Sequence, residues 1–135
     1  MEVIILAAGE GTRMYSDKPK ALHRIGGQAM LEHVVLAARE LSPNNIHVVI
    51  GSGAAQIRGH FKGGDSADIN WVLQPERLGT GHAVQQALPD IDARDERNCV
   101  MVLYGDVPLI KSLTLGRLLD QIDSESLALL TVQVE

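Results

Sequence analysis

The sequence predicts an α/β domain with a Rossmann-like architecture: a doubly wound, mostly parallel sheet with helices on both faces. Three observations carry this. Short, near-continuous apolar runs rich in Val and Ile recur at 3–8, 46–50, 69–73 and 100–104, the pattern of strands covered on both sides. Segments with apolar residues at helical spacing separate them, so strand and helix alternate. The runs also end in glycine-rich or polar turns, AAGEG, IGSG, LQPERLGTG and YGD.

Val3 to Ala8 forms the first strand, and Leu22 to Ile25 is a short extra strand before the Gly26-Gly27 turn. Met30 to Leu41 reads as a helix, because Leu31, Val34, Val35 and Ala38 fall on one face; Ser42, Pro43 and Asn44 stop it. Ile46 to Ile50 is the next strand, closed by Gly51 and Gly53. Ala54 to Phe61 is a short helix, and Gly63 and Gly64 break the chain before the strand Ile69 to Leu73. Gly79 and Gly81 open a helix that runs to about Leu88, where Pro89 ends it. Val100 to Tyr104 is a strand followed by Gly105 and Asp106. Lys111 to Ile122 is helical, with Leu115, Leu118, Leu119 and Ile122 on one stripe, and Leu127 to Val134 is a last strand.

Composition bounds the function. The chain has 135 residues, 45% hydrophobic and 21% charged, enough for one domain with a real core and unlike a disordered segment. Its net charge of −5 argues against nucleic acid as a partner, since phosphate-backbone binding needs a basic surface. A small anionic ligand needs only a local cluster of cations. The single cysteine, Cys99, lies in an apolar run and reads as a small buried hydrophobe, leaving no internal disulfide and no thiolate metal site. No apolar run approaches the ~20 residues of a membrane span, and the N-terminus reads as a strand rather than a leader; a cytoplasmic location and no membrane partner are expected. The chain stops at Glu135 straight after a predicted strand, which suggests the first part of a larger domain.

The stretch LAAGEGTRMYSDKPK, residues 6–20, carries most of the chemistry. In a doubly wound sheet, ligands sit at the carboxyl ends of the strands. Gly9 and Gly11 allow a sharp turn and close approach of the backbone to a ligand, and exposed N–H groups in such a loop make an anion site. Arg13 can fork onto phosphate oxygens and Lys20 supplies a compact charge, with Pro19 stiffening the chain before it. This describes a phosphate cradle. It is neither a dinucleotide fingerprint, which needs glycine where Met14 stands, nor a Walker loop, which needs a terminal Gly-Lys-Ser/Thr. The glycines alone are equally consistent with a plain strand-end turn; Arg13 and Lys20 tip the balance.

Two further clusters should meet the same edge. Gln74 can both donate and accept hydrogen bonds, as reading a base edge requires, and Gly79-Thr80-Gly81 opens a helix whose first N–H groups point outward; Thr80 could equally be a simple helix cap. Asp106, directly after a buried strand, could hold a hard divalent cation, or equally cap the Lys111 helix region or its turn. The five histidines, 23, 33, 47, 60 and 82, lack metal-ligand spacing and read as structural or surface residues. No Ser-His-Asp arrangement stands out.

These residues match a known pattern. LAAGEGTRM followed by DKPKALH resembles the signature of the sugar-1-phosphate nucleotidyltransferases, LAxGxGTRM/L…PK. The short gap between Arg13 and Pro19-Lys20, together with WVLQPERLGTGHAVQQA (71–87) and LYGDVPLI (103–110), is similar to the N-terminal half of the bacterial enzymes that join an N-acetylglucosamine-1-phosphate uridylyltransferase to a glucosamine-1-phosphate acetyltransferase. The resemblance implies a nucleotide-diphospho-sugar transferase fold and the reaction of UTP with N-acetylglucosamine 1-phosphate to give UDP-N-acetylglucosamine and pyrophosphate, with Mg²⁺, in cell-wall precursor synthesis.

Carried over by position, the resemblance gives Leu6, Ala7, Ala8 and Gly9 backbone contacts to the uridine. Arg13 faces the departing pyrophosphate, and Lys20 holds the reacting phosphates. Gln74 reads the uracil edge, Gly79 and Thr80 complete the base pocket, Tyr104 and Gly105 border the sugar, and Asp106 binds Mg²⁺. It also implies that residues 1–135 are only the N-terminal portion of the uridylyltransferase domain. The rest of that domain, with a second Mg²⁺ ligand (an Asn), and a left-handed β-helix that carries acetyl transfer and builds a homotrimer, would lie beyond Glu135. Alone, the chain is then expected to bind uridine nucleotide weakly and turn over poorly. Two other readings stand beside this one: a related nucleotidyltransferase with another base or sugar, and a non-catalytic nucleotide-binding module.

Overall fold

The computed structural model describes residues 1–9, 11, 15–62, 66–91, 99–123 and 125–133. Strands β1 (Glu2–Leu6), β4 (Asn45–Ile50), β5 (Ile69–Leu73) and β6 (Val100–Tyr104) form a four-stranded sheet in the order β5-β4-β1-β6. Every pairing is parallel, with Leu6 opposite both Val49 and Tyr104. The first strand is therefore central, and the chain builds outward from it on one side and then the other. The crevice beside β1 at its carboxyl end, where the winding changes direction, is the expected ligand position in such sheets.

Side-chain alternation sends the sheet's apolar residues to two cores. Val3, Ile5, Val48, Ile50, Met101 and Leu103 pack under α1 (Met30–Arg39), α2 (Ala54–His60) and α4 (Ser112–Leu119), while Ile4, Val49 and Val72 pack under α3 (Thr80–Ala87). The four α1 residues predicted to share a face, Leu31, Val34, Val35 and Ala38, are all fully buried. Helix α1 is closed at its start by Glu32, whose carboxylate accepts the Ala29 N–H at 2.5 Å, one half of a capping box. Helix α4 is held by Leu115, whose complete burial is worth about 1.5–3 kcal/mol. A short hairpin, β2 (Arg24–Ile25) with β3 (Gln28–Ala29), turns at Gly26-Gly27, and a single 3-10 turn, Lys20–Leu22, precedes it.

Three predicted elements change. The extra strand starts at Arg24 rather than Leu22, because the chain first makes the 3-10 turn. Helix α4 ends at Leu119 rather than Ile122, because Gln121 and Ile122 donate to Leu118 and Leu119 in the tighter i→i+3 pattern. The last strand, Leu127 to Val134, is not formed: 127–133 takes no strand pairing, and Leu127 and Val132 are each 84% exposed. The run is mostly apolar, but an apolar run forms a strand only where a neighbouring strand accepts the ladder, and β6 pairs only with β1 among the described residues. The predicted break at Gly63 and Gly64 lies outside the described residues.

Candidate active site

The ladders of the sheet run on past its strands and fix the start of each functional turn. The N–H of Ala7 donates to Val49 (2.8 Å), that of Gly105 to Leu6 (2.9 Å) and that of Gln74 to Ile50 (2.8 Å). Ala7, Gly105 and Gln74 are thereby held at one rim, and a cleft of about 330 Å³ opens there. The turn after β1 lines it with Leu6, Ala7, Ala8 and Gly9; the 3-10 turn adds Lys20 and Ala21. The segment after β5 adds Gln74, Arg77, Gly79 and Thr80, helix α3 adds Ala83, and the end of β6 adds Tyr104, Gly105 and Asp106.

Every predicted site residue that is described thus lies on one cleft. Arg13, expected to face pyrophosphate, lies outside the described residues. The apolar lining is mostly small, Ala7, Ala8, Ala21 and Ala83, and leaves room against bare backbone for a flat ring. The polar groups stand at its margins.

Lys20 Nζ donates to Asp106 Oδ2 across 86 residues of chain, with both side chains roughly a third exposed. The pair stands beside the end of β1, where the winding changes direction. Its position depends on Gly11, which has φ +62° and would place a Cβ 2.6 Å from Lys20 Cβ; only glycine combines that dihedral with that contact. Among the described residues no group of three or more His, Cys, Asp or Glu side chains gathers. Among the described residues that line the cleft, one carboxylate is offered to a cation, that of Asp106. Mg²⁺ commonly takes one or two carboxylates and completes its shell with phosphate oxygens and water, so this donor set fits a cation that arrives with a phosphorylated ligand.

Gln74 is 5% exposed. Its Nε2 donates to the Gly79 carbonyl at 3.2 Å and faces His82 Nδ1 at 3.0 Å. Gly79, at φ 99° and ψ 178°, is the N-cap of α3, and no side chain caps the helix; Thr80 is its first helical residue rather than its cap. The first N–H groups of α3 are left without intrahelical partners. Asp106 does not cap α4 either: Lys111 holds that position without a side-chain bond.

Two residues of this region were not identified from sequence. Arg77 lines the cleft; its charge in a strand-end turn was visible, but the turn's path was not. His82 touches Gln74, and nothing in the spacing marks it, because the intervening residues are partly turn and partly helix. The structural reading holds for His33, which meets the Ile25 carbonyl at 2.8 Å, for His47 against Glu2 at 3.1 Å, and for His60 against Glu32 at 3.1 Å. Among the described residues no helix is long and apolar enough to cross a membrane.

Comparison with known proteins gives consistent results. The family model of the MobA-like NTP transferase domain matches residues 3–134. The curated bifunctional protein GlmU of Stutzerimonas stutzeri (strain A1501) is 55% identical over all 135 residues, which span 28% of that protein's length. A nucleotidyl transferase from Methanothermobacter thermautotrophicus superposes with a TM-score of 0.74 at 20% identity, covering 90% of this chain and 57% of that one. The Mycobacterium tuberculosis H37Rv protein Rv0371c, in a complex with manganese, gives 0.67 at 23% identity, covering 88% and 57%.

Proposed function

The chain belongs to the MobA-like NTP transferase family, and from that premise we propose that its parent protein transfers the uridylyl group of UTP to N-acetylglucosamine 1-phosphate. A phosphate oxygen of the sugar phosphate attacks the α-phosphorus of UTP. The bond from that phosphorus to the oxygen of the β-phosphate breaks, and pyrophosphate leaves with the electron pair. No protein nucleophile is needed, so catalysis consists of alignment and charge neutralisation. The observation that carries this reading is the convergence of Lys20, Gln74 and Asp106, from three separate strand ends, on one cleft.

In this reading the small-residue floor and Gln74 receive the uracil, and the turn from Leu6 to Gly9 runs beside the ribose. Lys20 meets the reacting phosphates, with Arg13 on the pyrophosphate side, and Tyr104 and Gly105 border the sugar. Asp106 holds a divalent cation, Mg²⁺. When bound, that cation draws negative charge from the phosphate oxygens. Asp106 would hold that cation through its carboxylate, of which Lys20 engages only Oδ2, and Lys20 would present its ammonium to phosphate from the same place. The manganese complex of the structural neighbour and the name of the 55% identical relative support the metal and the reaction respectively.

The same proposal treats residues 1–135 as the N-terminal portion of a uridylyltransferase domain, within a cytoplasmic, homotrimeric protein that also transfers acetyl groups. The test is pyrophosphate release by the full-length parent with UTP, dTTP, CTP and GTP against several sugar 1-phosphates. UTP with N-acetylglucosamine 1-phosphate should be fastest. A different preferred pair refutes the assignment of base or sugar, and release by no pair refutes the reaction.

A further inference from the structure

We propose that His82 is a positioning residue which, with the Gly79 carbonyl, locks the Gln74 amide so that only its oxygen is offered to the base, and the site thereby selects a ring N–H donor. The argument is a count of hydrogens. An amide nitrogen carries two. In Gln74 one goes to the Gly79 carbonyl at 3.2 Å and one to His82 Nδ1 at 3.0 Å. Both donors are consumed within the protein, and Oε1, which makes no hydrogen bond among the described residues, is what remains for a ligand.

The opposite amide orientation fails at Gly79. It would put Oε1 3.2 Å from the Gly79 carbonyl, two acceptors in repulsive contact, with the oxygen belonging to a Gln74 side chain that is only 5% exposed. The carbonyl cannot easily turn away, because it also accepts the Ala83 N–H at 3.1 Å, a bond of the first turn of α3. The orientation of Gln74 then fixes the tautomer of His82: Nδ1 accepts, so the ring proton is on Nε2. Gln86, one helical turn on, faces that Nε2 at 3.1 Å. As placed, it is the Gln86 amide nitrogen that faces Nε2, and it also reaches the His82 carbonyl at 3.4 Å; an Nε2–H needs an acceptor, so Gln86, which is only partly buried, turns its oxygen to the ring and gives up that long bond. Gln86, His82 and Gln74 form one polarised chain ending in the cleft.

This deepens the nucleotide reading and rests on it. The one ring N–H of a uracil base is at N3, so Oε1 takes that hydrogen. Cytosine in the same pose opposes a lone pair at N3 to the lone pairs of Oε1. A freely rotating glutamine could serve either base by flipping; the locked one cannot.

The test uses the full-length parent. His82→Phe keeps a ring and removes the Nδ1 acceptor, while His82→Asn returns an acceptor near the same place. In His82→Phe, the UTP-over-CTP ratio of kcat/KM should fall about three- to tenfold, the range for one orienting hydrogen bond, with the larger change in KM. His82→Asn should restore most of it. An unchanged ratio in a folded His82→Phe protein overturns the proposal while leaving the uridylyltransferase reading intact. Wild-type protein that uses no UTP overturns that reading and, with it, the base selection argued here. A readout independent of turnover and of any variant's folding is the ¹⁵N spectrum of His82 in unliganded wild-type protein. A proton on Nε2 is expected; a proton on Nδ1 overturns the locking itself.

Discussion

The sheet carries a polar network at each end, and both are built around a histidine and an amide. At the amino ends of the strands, Glu2 meets His47 Nε2 at 3.1 Å. The Asn70 amide nitrogen meets His47 Nδ1 at 3.0 Å and donates to Asp90 at 3.1 Å, and the Asn45 amide reaches Glu2 at 3.3 Å. At the carboxyl ends, the Gln74 nitrogen divides itself between Gly79 and His82 in the same way. The difference lies in what is left over. The carboxylate and ring of the first network sit almost entirely out of solvent, Glu2 at 4% and His47 at 1% exposure, and every inward-facing valence of that pair is closed by protein. The second leaves an amide oxygen, and beside it the half-open pair Lys20–Asp106, at the wall of a cleft. Closed valences stabilise the fold, whereas open ones at a concave rim are available to a ligand.

The comparison is broken most severely if charges at the open end prove to be structural. Lys20→Ala and Asp106→Asn in the full-length parent should each lower turnover by on the order of 10²–10³, the scale of losing one preorganised charge at a reacting centre. Thermal unfolding should move little, since so exposed a pair is worth about 0–1 kcal/mol. Loss of fold without selective loss of pyrophosphate release would move this pair into the structural class. The reverse experiment is His47→Leu. It leaves Glu2 buried without its principal partner, which should cost about 3 kcal/mol in urea unfolding, while kcat/KM of the folded fraction stays at the wild-type value. A His47 variant that is stable but slow would show that the amino-end network reaches the site.

Much of this contrast was legible in the sequence. The β-branched runs at 3–8, 46–50, 69–73 and 100–104 mark their strands because burial on both faces demands apolar side chains throughout. Lys20, Gln74 and Asp106 were legible because each follows such a run, and strand ends of a parallel sheet share an edge. The described part of the predicted last strand, 127–133, is also largely apolar but forms no strand, because pairing is a property of the neighbour rather than of the run. His82 reads from sequence, like the other four histidines, as a structural or surface residue, because its contact with Gln74 depends on the path of the turn between them. Asp106's alternative as a helix cap is closed by Lys111 standing at that position, and its pairing with Lys20 could not be read locally, because no local pattern joins residues 86 positions apart.

A third polar pair, belonging to neither network, supplies the scale for a largely exposed ion pair. Arg39 grips Asp68 with two bonds, Nε to Oδ2 at 2.8 Å and Nη2 to Oδ1 at 2.6 Å. The guanidinium's hydrogen bonds hold the Asp68 carboxyl below its ordinary value of 3.8, against a smaller opposing effect of burial. The folded-state pKa is therefore the lower one. The pair's contribution is complete above the unfolded-state value, near 3.9, and is lost as pH falls through the folded-state value. Asp68 is half exposed, so water screens the interaction and the expected amount is below about 1 kcal/mol. Urea unfolding of wild type and Asp68→Asn should differ by that small amount at neutral pH and converge as pH falls through the lowered folded-state value. Pyrophosphate release should be the same for both, since the pair lines no part of the cleft. A difference that persists in acid would mean that the two bonds act through geometry rather than charge, and the ranking of closed, open and merely exposed polar pairs would then need a different physical basis.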